Sequence, residues 1–331
     1  MSIAITMGDA AGIGPEIVAK AFRDAPDATQ GCFVVGDIAL MRRAVRCITG
    51  AGQTSLPVAE ITAPQQLATV PPRCLPVLPL PGTTPDIPFG QISAAAGRLA
   101  ANSVIWAAQA ALRGEIAALV TAPLHKEALA AAGLAFPGHT ELLQAEAAAF
   151  LGKPLAEVPV RMMLANDELR TVLVSIHVSL RDALAAVTLP NVLETIRITN
   201  AAMRATLGHA PRIAVAGLNP HAGEGGLFGS EERESIAPAI AAARAQGCTV
   251  DGPFAPDTVF MRARRGEFDV VVAMYHDQGL IPVKYLGLEG GVNVTLGLPL
   301  VRTSPDHGTA FDIAGTGQAD PSSLIAALRM A

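Results

Sequence analysis

Residues 5–22 read ITMGDAAGIGPEIVAKAF, an apolar segment that enters a turn with glycines at positions 8, 12 and 14 and continues into a helical pattern. The dinucleotide signature G-x-G-x-x-G is absent, because the order here is G-x-x-x-G-x-G, and no Gly-Lys-Ser/Thr follows as in a P-loop. Pro15 suits the first position of a helix, and Glu16 in the first turn complements the helix dipole. The stretch therefore predicts a strand–turn–helix unit with Asp9 at the end of the strand. Two interpretations of the turn stay open, a structural turn near a ligand or a direct phosphate contact.

The composition is that of a globular protein. Half of the 331 residues are hydrophobic and 16% are charged, and at this length two domains are expected. The net charge of −5 and the aromatic content of 4% argue against nucleic acid or a membrane surface as a partner. No run of eighteen apolar residues and no signal-peptide pattern occurs, and the four cysteines lack C-x-x-C spacing. We therefore expect a cytoplasmic protein with free thiols.

Short β-branched segments alternate with long alanine-rich ones. The predicted strands are SIAITM, CFVVG, AALVTA, RIAVAG, DVVVAM and GVNVTLG, and predicted helices include EIVAKAF, AAAGRLAANSVIWAAQAALR and ESIAPAIAAARAQG. This alternation predicts an α/β fold with a largely parallel sheet buried on both faces. In residues 160–180, two apolar runs flank Asn166-Asp167 and predict an antiparallel hairpin. Residues 75–90, LPVLPLPGTTPDIPFG, are rich in proline and glycine and are predicted to form an ordered loop.

Four of the predicted strands end in polar sequences, namely MGD, TAPLHK, NPHAGEGG and YHDQG. Ligands of open α/β sheets bind at the carboxyl ends of the strands, so these ends are expected to line one cleft.

Three of the seven histidines follow apolar strands: His177, His221 and His276. Imidazole is a common ligand of zinc and similar ions, and catalytic sites keep an open position beside three protein ligands. The spacings of 44 and 55 residues match no local metal motif, so only the fold could bring the three together. Either they are hydrogen-bonded structural histidines or they form a metal site.

Two further groups have the chemistry to bind an anion. In FPGHTELL, His139 precedes a predicted helix that Thr140 could cap, and the N–H groups of the first turn could hold an anion. Near the end of the chain, Lys284 and Arg302 lie on either side of Asn293. A lysine and an arginine so separated could clamp a phosphate or carboxylate, although each alone equally fits a surface charge.

GDAAGIGPE and DHGTAFDIAGTGQADP resemble paired signatures of isocitrate and isopropylmalate dehydrogenases, which bind NAD(P) without a Rossmann motif. The rest of the chain is more similar to the 4-hydroxythreonine-4-phosphate dehydrogenase family of pyridoxal phosphate biosynthesis. That resemblance covers essentially the whole chain and is carried, in order, by TAPLHK, FPGHTE, GLNPHAGEGG, PDTVF, MYHDQGL, VNVTLGLP and RTSPDHGTAFDIAGTG.

The resemblance implies a non-Rossmann, two-domain α/β/α protomer and a homodimer, with the active site in the interdomain cleft at the subunit interface. We expect residues 1–125 with 303–331 to form the cofactor-side domain, and residues 126–302 to form the domain of the metal, the substrate and the dimer interface. The resemblance also implies a divalent metal on three histidines, one of them from the partner subunit, and contacts to substrate and NAD(P). The implied residues are His177, His221 and His276 for the metal, Asp257 near it, His139, Thr140, Lys284, Asn293 and Arg302 for the substrate, and His307, Gly308 and Asp312 for the cofactor.

The expected reaction is oxidation of 4-phosphooxy-L-threonine at C3 by NAD or NADP, followed by decarboxylation to 3-amino-2-oxopropyl phosphate. The metal could be zinc, magnesium, cobalt or manganese, and Lys284 or Asp257 would accept the proton. HDQGLIPVKYLG and GLFGSEE depart from better-known members, so a sister enzyme for 4-phospho-D-threonate or 4-phospho-D-erythronate is the alternative. A metal-dependent phosphatase and a phosphosugar-binding protein are further alternatives from other functional classes.

Overall fold

The computed structural model describes residues 2–82, 86–287 and 290–331. Within these residues, twelve β-strands alternate with eleven α-helices, which confirms the predicted α/β class. The strands are β1 (Ile3–Thr6), β2 (Cys32–Gly36), β3 (Val58–Glu60), β4 (Leu75–Pro79), β5 (Ala118–Thr121), β6 (Arg161–Ala165), β7 (Arg170–Leu173), β8 (Ile213–Ala216), β9 (Val250–Phe254), β10 (Val270–Ala273), β11 (Val292–Leu296) and β12 (Val301–Pro305). The helices are α1 (Gly14–Asp24), α2 (Ile38–Ile48), α3 (Ala94–Leu112), α4 (Lys126–Ala131), α5 (His139–Leu151), α6 (Leu180–Ala185), α7 (Leu189–Leu207), α8 (Ala237–Ala245), α9 (Pro256–Arg264), α10 (His276–Tyr285) and α11 (Ser322–Met330).

The chain divides into two compact units, residues 1–159 with 298–331 and residues 160–297. These bounds differ from the expected 1–125 with 303–331 and 126–302. The first unit extends further because α4 and α5 pack against α3. The segment after α5 is held in the same unit, since the Gln144 side chain donates a hydrogen bond of 2.8 Å to the carbonyl of Val158.

In the first unit, the strand order is β3-β4-β2-β1-β5-β12 and every pairing is parallel. Ala4 and Phe33 are buried against α3, where they form one core cluster with its apolar face. Their neighbours Ile5 and Val34 point to the opposite face and are also fully buried. Because successive strand residues alternate between faces, the sheet is covered on both sides, as the continuous apolar strands predict.

The prediction that residues 75–90 form a loop is wrong for their first five residues, which form β4. This strand lies between β2 and β3, with Val77 opposite Val34. The two prolines within the strand hid it from the sequence pattern, since proline disfavours a central strand. Burial of Leu75 and Val77, both fully excluded from solvent, outweighs that preference. Residues 83–85 lie outside the described residues.

In the second unit, the strand order is β11-β6-β7-β10-β8-β9. β6 pairs antiparallel with β7 and β11, while β7, β10, β8 and β9 run parallel. This confirms the hairpin predicted around Asn166-Asp167. The Asn166 side chain closes its turn by accepting hydrogen bonds from the backbone N–H groups of Glu168 and Leu169, at 2.9 and 2.8 Å.

Among the described residues, no helix has both the length and the apolar character needed to span a lipid bilayer.

Candidate active site

The three histidines predicted to bind metal follow three neighbouring parallel strands of the second unit. His177 follows β7, His276 follows β10 and His221 follows β8, and β10 pairs with both β7 and β8. The carboxyl ends of parallel strands meet at one edge of a sheet, which is where open α/β sheets bind their ligands. The fold therefore brings these distant parts of the sequence to the same edge.

His177 and His276 form a close pair. Their ring centroids are 5.7 Å apart, and both line a cavity of about 280 Å³ together with Ser175, Tyr275 and Asp277. His276 Nδ1 lies 2.7 Å from Asp277 Oδ1. Because a carboxylate accepts hydrogen bonds, this contact assigns the proton of a neutral ring to Nδ1 and leaves the lone pair on Nε2. Such a carboxylate–imidazole contact is typical of histidines that bind metal ions.

His221 is the third predicted ligand, and its ring contacts Phe228, with ring centroids 6.2 Å apart. Within the described ranges, no group of three His, Cys, Asp or Glu side chains is placed to hold a metal ion. The structure thus brings two of the three histidines together. Their donor chemistry fits a zinc-like divalent cation, since two imidazoles open to one cavity and one of them has a carboxylate partner.

The backbone at two of these histidines is unusual. His177 has φ of 47° and His221 has φ of 54°, in the left-handed region that residues with a side chain rarely adopt. Such conformations persist only where the surroundings enforce them, and they cluster at functional sites.

Three other predicted residues of the second unit lie on different elements. Lys284 is half-buried in the last turn of α10, and Asn293 is half-buried on β11. Asp257 is exposed in the first turn of α9, a helix that packs against residues 220–226 of the segment that carries His221. The sequence motif PDTVF therefore places its acid on an element next to the His221 segment.

In the first unit, a buried arginine lies on β12, the last strand in that unit's strand order. Arg302 on β12 is only 4% exposed, and its Nε and Nη2 donate hydrogen bonds of 3.1 and 2.8 Å to Thr121 Oγ1 on β5. Burial lowers the pKa of Arg302 to about 10, while the charge of Glu141 opposes that shift. The guanidinium therefore stays charged at neutral pH.

His139 begins α5, and Gly138 is the N-cap residue, with no side-chain hydrogen bond to the helix. The prediction that Thr140 caps this helix is wrong, because the extended backbone at Gly138 starts the helix before Thr140. His139 as a whole residue is half-buried, and its ring atom Nε2 is buried and has no hydrogen-bond partner in the described part of the chain. Burial, and next the charge of Arg302, hold the pKa of His139 well below its usual value. A helix start without a side-chain cap, a neutral imidazole and a buried arginine suit a phosphate or carboxylate.

The three predicted cofactor residues, His307, Gly308 and Asp312, are exposed and follow β12. Their segment is bound to the turn between β1 and α1, because Ile13 N donates a hydrogen bond of 2.9 Å to Thr309 O. A Cβ atom on Gly12 would lie 2.7 Å from the same carbonyl oxygen. The turn itself is buried from Met7 to Phe22. The structure therefore favours the interpretation of the opening glycines as a structural turn that supports the 307–312 segment.

Two polar residues near this turn, Asp9 and His125, each have a buried side-chain atom, Asp9 Oδ2 and His125 Nδ1, without a hydrogen-bond partner among the described residues. Asp9 is fully buried, and burial raises the pKa of its carboxyl group while a hydrogen bond from Ala11 N and the charge of His125 oppose that shift. His125 stacks on Phe311 with a centroid distance of 4.7 Å. Both belong to the polar sequences MGD and TAPLHK that follow predicted strands, but the burial of Asp9 and of His125 Nδ1 is seen only in the structure.

Comparison with known proteins places the chain in a family. The family model described as pyridoxal phosphate biosynthetic protein PdxA matches residues 28–331. A 4-hydroxythreonine-4-phosphate dehydrogenase of Beijerinckia indica is 51% identical, with 97% of this chain and 91% of that protein covered. A D-threonate 4-phosphate dehydrogenase of Cupriavidus necator is 47% identical, with 99% and 95% covered.

A crystal structure of 4-hydroxythreonine-4-phosphate dehydrogenase from Klebsiella pneumoniae superposes with a TM-score of 0.89 at 42% identity, with 99% of this chain and 98% of that chain covered. These matches confirm the resemblance carried by the motifs from TAPLHK to DHGTAFDIAGTG, and the chain belongs to the PdxA family of pyridoxal phosphate biosynthetic proteins.

Proposed function

We propose that this protein is an NAD(P)-dependent dehydrogenase that oxidises the C3 alcohol of 4-phosphooxy-L-threonine, and that the β-keto acid formed loses CO2 to give 3-amino-2-oxopropyl phosphate. The observation that carries the proposal is the His177–His276 pair, 5.7 Å apart at the carboxyl ends of adjacent strands, in a chain 51% identical to an enzyme of that name. The 45–47% identity to D-threonate 4-phosphate dehydrogenases supports 4-phospho-D-threonate as the second candidate substrate.

Two groups would be supplied from outside the chain. When bound, a divalent metal supplies positive charge that stabilises the alkoxide during oxidation, and NAD(P) accepts the hydride. His177 and His276 would hold the metal, with the Asp277 carboxylate fixing the orientation of the His276 ring. His221 is proposed as the third ligand, and one of the three would come from the partner subunit of a homodimer. Exposed apolar side chains beside His177, namely Val178, Leu180 and Leu184, support a subunit contact on this face.

The other proposed roles follow the chemistry of each side chain. Arg302, His139 and the first turn of α5 would bind the phosphate, whose binding energy positions the reacting carbon. Thr140 and Asn293 would contact the substrate, and Lys284 or Asp257 would accept the proton of the C3 hydroxyl. In the second step the bond from C2 to the carboxyl carbon breaks, CO2 leaves, and the electron pair of that bond forms an enolate with the C3 ketone. C2 then takes up a proton to give the product. His307, Gly308 and Asp312 are proposed to contact NAD(P).

The proposal is tested by following the absorbance of reduced cofactor at 340 nm. The protein is loaded with Co²⁺ or Zn²⁺ and given 4-phosphooxy-L-threonine, 4-phospho-D-threonate or 4-phospho-D-erythronate, each with NAD⁺ and with NADP⁺. Turnover that is highest on the first substrate and is lost with a chelator or in His276→Ala is the expected result. Highest turnover on 4-phospho-D-threonate or 4-phospho-D-erythronate would support a metal-dependent dehydrogenase whose substrate is that compound. Phosphate release without cofactor reduction would identify a phosphatase instead and overturn the proposal.

A further inference from the structure

The segment between β8 and the next helical turn, residues 217–229, is here named the His221 loop. Six consecutive residues of this loop, His221 to Gly226, have positive φ, with values of 54°, 52°, 79°, 43°, 68° and 105°. Three of them, His221, Ala222 and Glu224, carry side chains, and L-residues are disfavoured in this conformation. A left-handed turn of this length needs contacts outside itself to hold it.

Besides a hydrogen bond from Asn219 Nδ2 to Glu231 and one from Gly217 N to the carbonyl of Phe254, three such contacts go to one carboxylate, Glu232, which is 5% exposed. Its Oε1 accepts hydrogen bonds from the backbone N–H groups of Leu218 and Asn219, both at 2.7 Å. Its Oε2 accepts a third from Asn219 Nδ2 at 3.0 Å. The residue lies in a π-helical turn, Glu232–Ile236, immediately before α8, and π-turns are frequent at functional sites. Glu232 thus anchors the start of the loop to the π-helical turn that precedes α8.

The same carboxylate also lies against the middle of the loop. A Cβ atom on Gly223 would lie 2.7 Å from Glu232 Oε2, and one on Gly217 would lie 3.1 Å from Oε1. Moving the carboxylate away would break its hydrogen bonds to the partly buried N–H groups of Leu218 and Asn219, and donors left without acceptors away from water are unfavourable. Gly223 is therefore required at its position both by its φ and by Glu232.

We propose that Glu232 is a positioning residue for His221. Its buried carboxylate holds the left-handed turn in one conformation, so that the His221 imidazole is set in place before the metal binds. Nothing in the sequence spacing of the metal histidines points to this residue, because Glu232 acts through the backbone of the loop. The inference rests on the proposed function, since it takes His221 as a metal ligand.

Gly223 and Gly225 provide a matched pair of variants. Both have positive φ, so Gly223→Ala and Gly225→Ala share the backbone strain. A Cβ atom at Gly225 would meet nothing within 4 Å, whereas at Gly223 it would displace the Glu232 carboxylate. The difference between the two variants therefore isolates the contact with Glu232.

The experiment measures the affinity of the full-length, metal-stripped protein for Co²⁺, by calorimetry and by the visible absorption of the bound ion, together with the melting temperature in chelator. Gly223→Ala is expected to bind Co²⁺ about tenfold to a hundredfold more weakly than Gly225→Ala, the range seen when a group supporting a metal ligand is removed. Gly223→Ala is expected to melt below Gly225→Ala, because its displaced carboxylate loses hydrogen bonds, so the two affinities are compared well below both melting temperatures. Equal Co²⁺ affinity in the two variants would overturn the proposal.

Two further variants separate this inference from the proposed function. Glu232→Gln keeps the size of the side chain and removes its charge, so it tests the same role if Gly223→Ala does not fold, and weaker Co²⁺ binding is again expected. His221→Ala tests the ligand itself. If His221→Ala binds Co²⁺ as tightly as the unchanged protein, the ligand role proposed for His221 is wrong. If His221→Ala loses affinity while Gly223→Ala and Glu232→Gln keep it, only the positioning role of Glu232 is wrong.

Discussion

The ammonium group of Lys20 lies 3.3 Å from the carboxylate of Glu16, one turn earlier on α1, and both side chains are at least nine-tenths buried. Both groups also bind the backbone of residues 317–319. Lys20 Nζ donates to the carbonyls of Gly317 and Ala319, at 2.8 and 2.5 Å, and Glu16 accepts from their N–H groups at 3.3 and 2.9 Å. The ion pair therefore fastens the segment that follows the proposed cofactor residues to the first helix of the chain.

Lys20→Met is expected to lower the free energy of unfolding by about 3–5 kcal/mol, because it leaves the Glu16 carboxylate buried without a cation. Urea denaturation followed by circular dichroism measures the change. Lys153→Met is the matched control, since Lys153 is exposed, and its effect is expected to stay within about 0.5 kcal/mol.

The double variant Glu16→Gln/Lys20→Met removes both charges. It is expected to be more stable than the sum of the two single effects predicts, by about 1–3 kcal/mol, because the two groups contact each other. Additive effects would show that the pair does not act as a unit.

Gly12→Ala is expected to weaken NAD(P) binding. The new Cβ atom would lie 2.7 Å from Thr309 O and 2.9 Å from Thr309 Cβ, so the 307–312 segment has to shift. A shift of about an ångström in a binding segment is enough to raise the KM for the cofactor by about tenfold or more. Initial-rate kinetics with NAD⁺ and NADP⁺ measure it.

Two controls accompany Gly12→Ala. In Gly50→Ala, the added atom meets only the flexible Gln53 side chain, at 3.1 Å, and no change in the KM for the cofactor is expected. The Co²⁺ affinity of Gly12→Ala should equal that of the unchanged protein, because the proposed metal histidines lie in the other unit. An unchanged KM for both cofactors would remove the 307–312 segment from the proposed cofactor site.

Segments whose conformation depends on local pattern were predicted correctly. The unit of β1, turn and α1 follows from its apolar run, its glycines and Pro15, and the β6–β7 hairpin follows from two apolar runs around Asn166. The pattern failed at β4, where prolines hid a strand that burial stabilises, and at Thr140, where one residue of extended backbone moved the helix start.

The site was predictable only in part, because its geometry depends on contacts between distant residues. Polar residues after apolar strands pointed to His177, His221 and His276, and the strands that precede these histidines are neighbours in the sheet. Glu232 binds the backbone N–H groups just before the left-handed turn of His221, and Ile13 N donates a hydrogen bond to Thr309 O in the 307–312 segment. The hydrophobic pattern of a single segment does not predict which distant residues will hold it, since those contacts depend on how the elements pack.

His139→Gln is expected to change how stability depends on pH. Burial, and next Arg302, hold the pKa of His139 below its usual value, so the native ring stays neutral where the unfolded ring gains a proton. The unfolded state therefore binds more protons below a pH of about 6.5, and this contribution to stability is present above that pH and lost as pH falls toward the lowered pKa. In His139→Gln this loss is absent, and unfolding free energies should fall less steeply from pH 6.5 downward, by at most about 1.4 kcal/mol per pH unit.

The control for this pH series is His209→Gln, a change at an exposed histidine, which should retain the slope of the unchanged protein. Urea denaturation at half-unit steps of pH gives both slopes. Identical slopes for His139→Gln and the unchanged protein would mean that His139 takes up its proton as readily in the folded as in the unfolded chain.

Arg302→Lys tests the proposed phosphate site independently of which phosphorylated acid is the substrate. Arg302 Nε and Nη2 both donate hydrogen bonds to the Thr121 hydroxyl oxygen, and a lysine ammonium cannot reproduce the fixed fork of a guanidinium. Losing one charge-assisted hydrogen bond costs about 1.5–3 kcal/mol, so KM for the phosphorylated substrate should rise about tenfold or more. Inorganic phosphate should raise the melting temperature of the unchanged protein and of Arg98→Lys, a change at an exposed arginine, but not that of Arg302→Lys. Equal stabilisation of all three by phosphate would place the phosphate site elsewhere and leave Arg302 with a purely structural role.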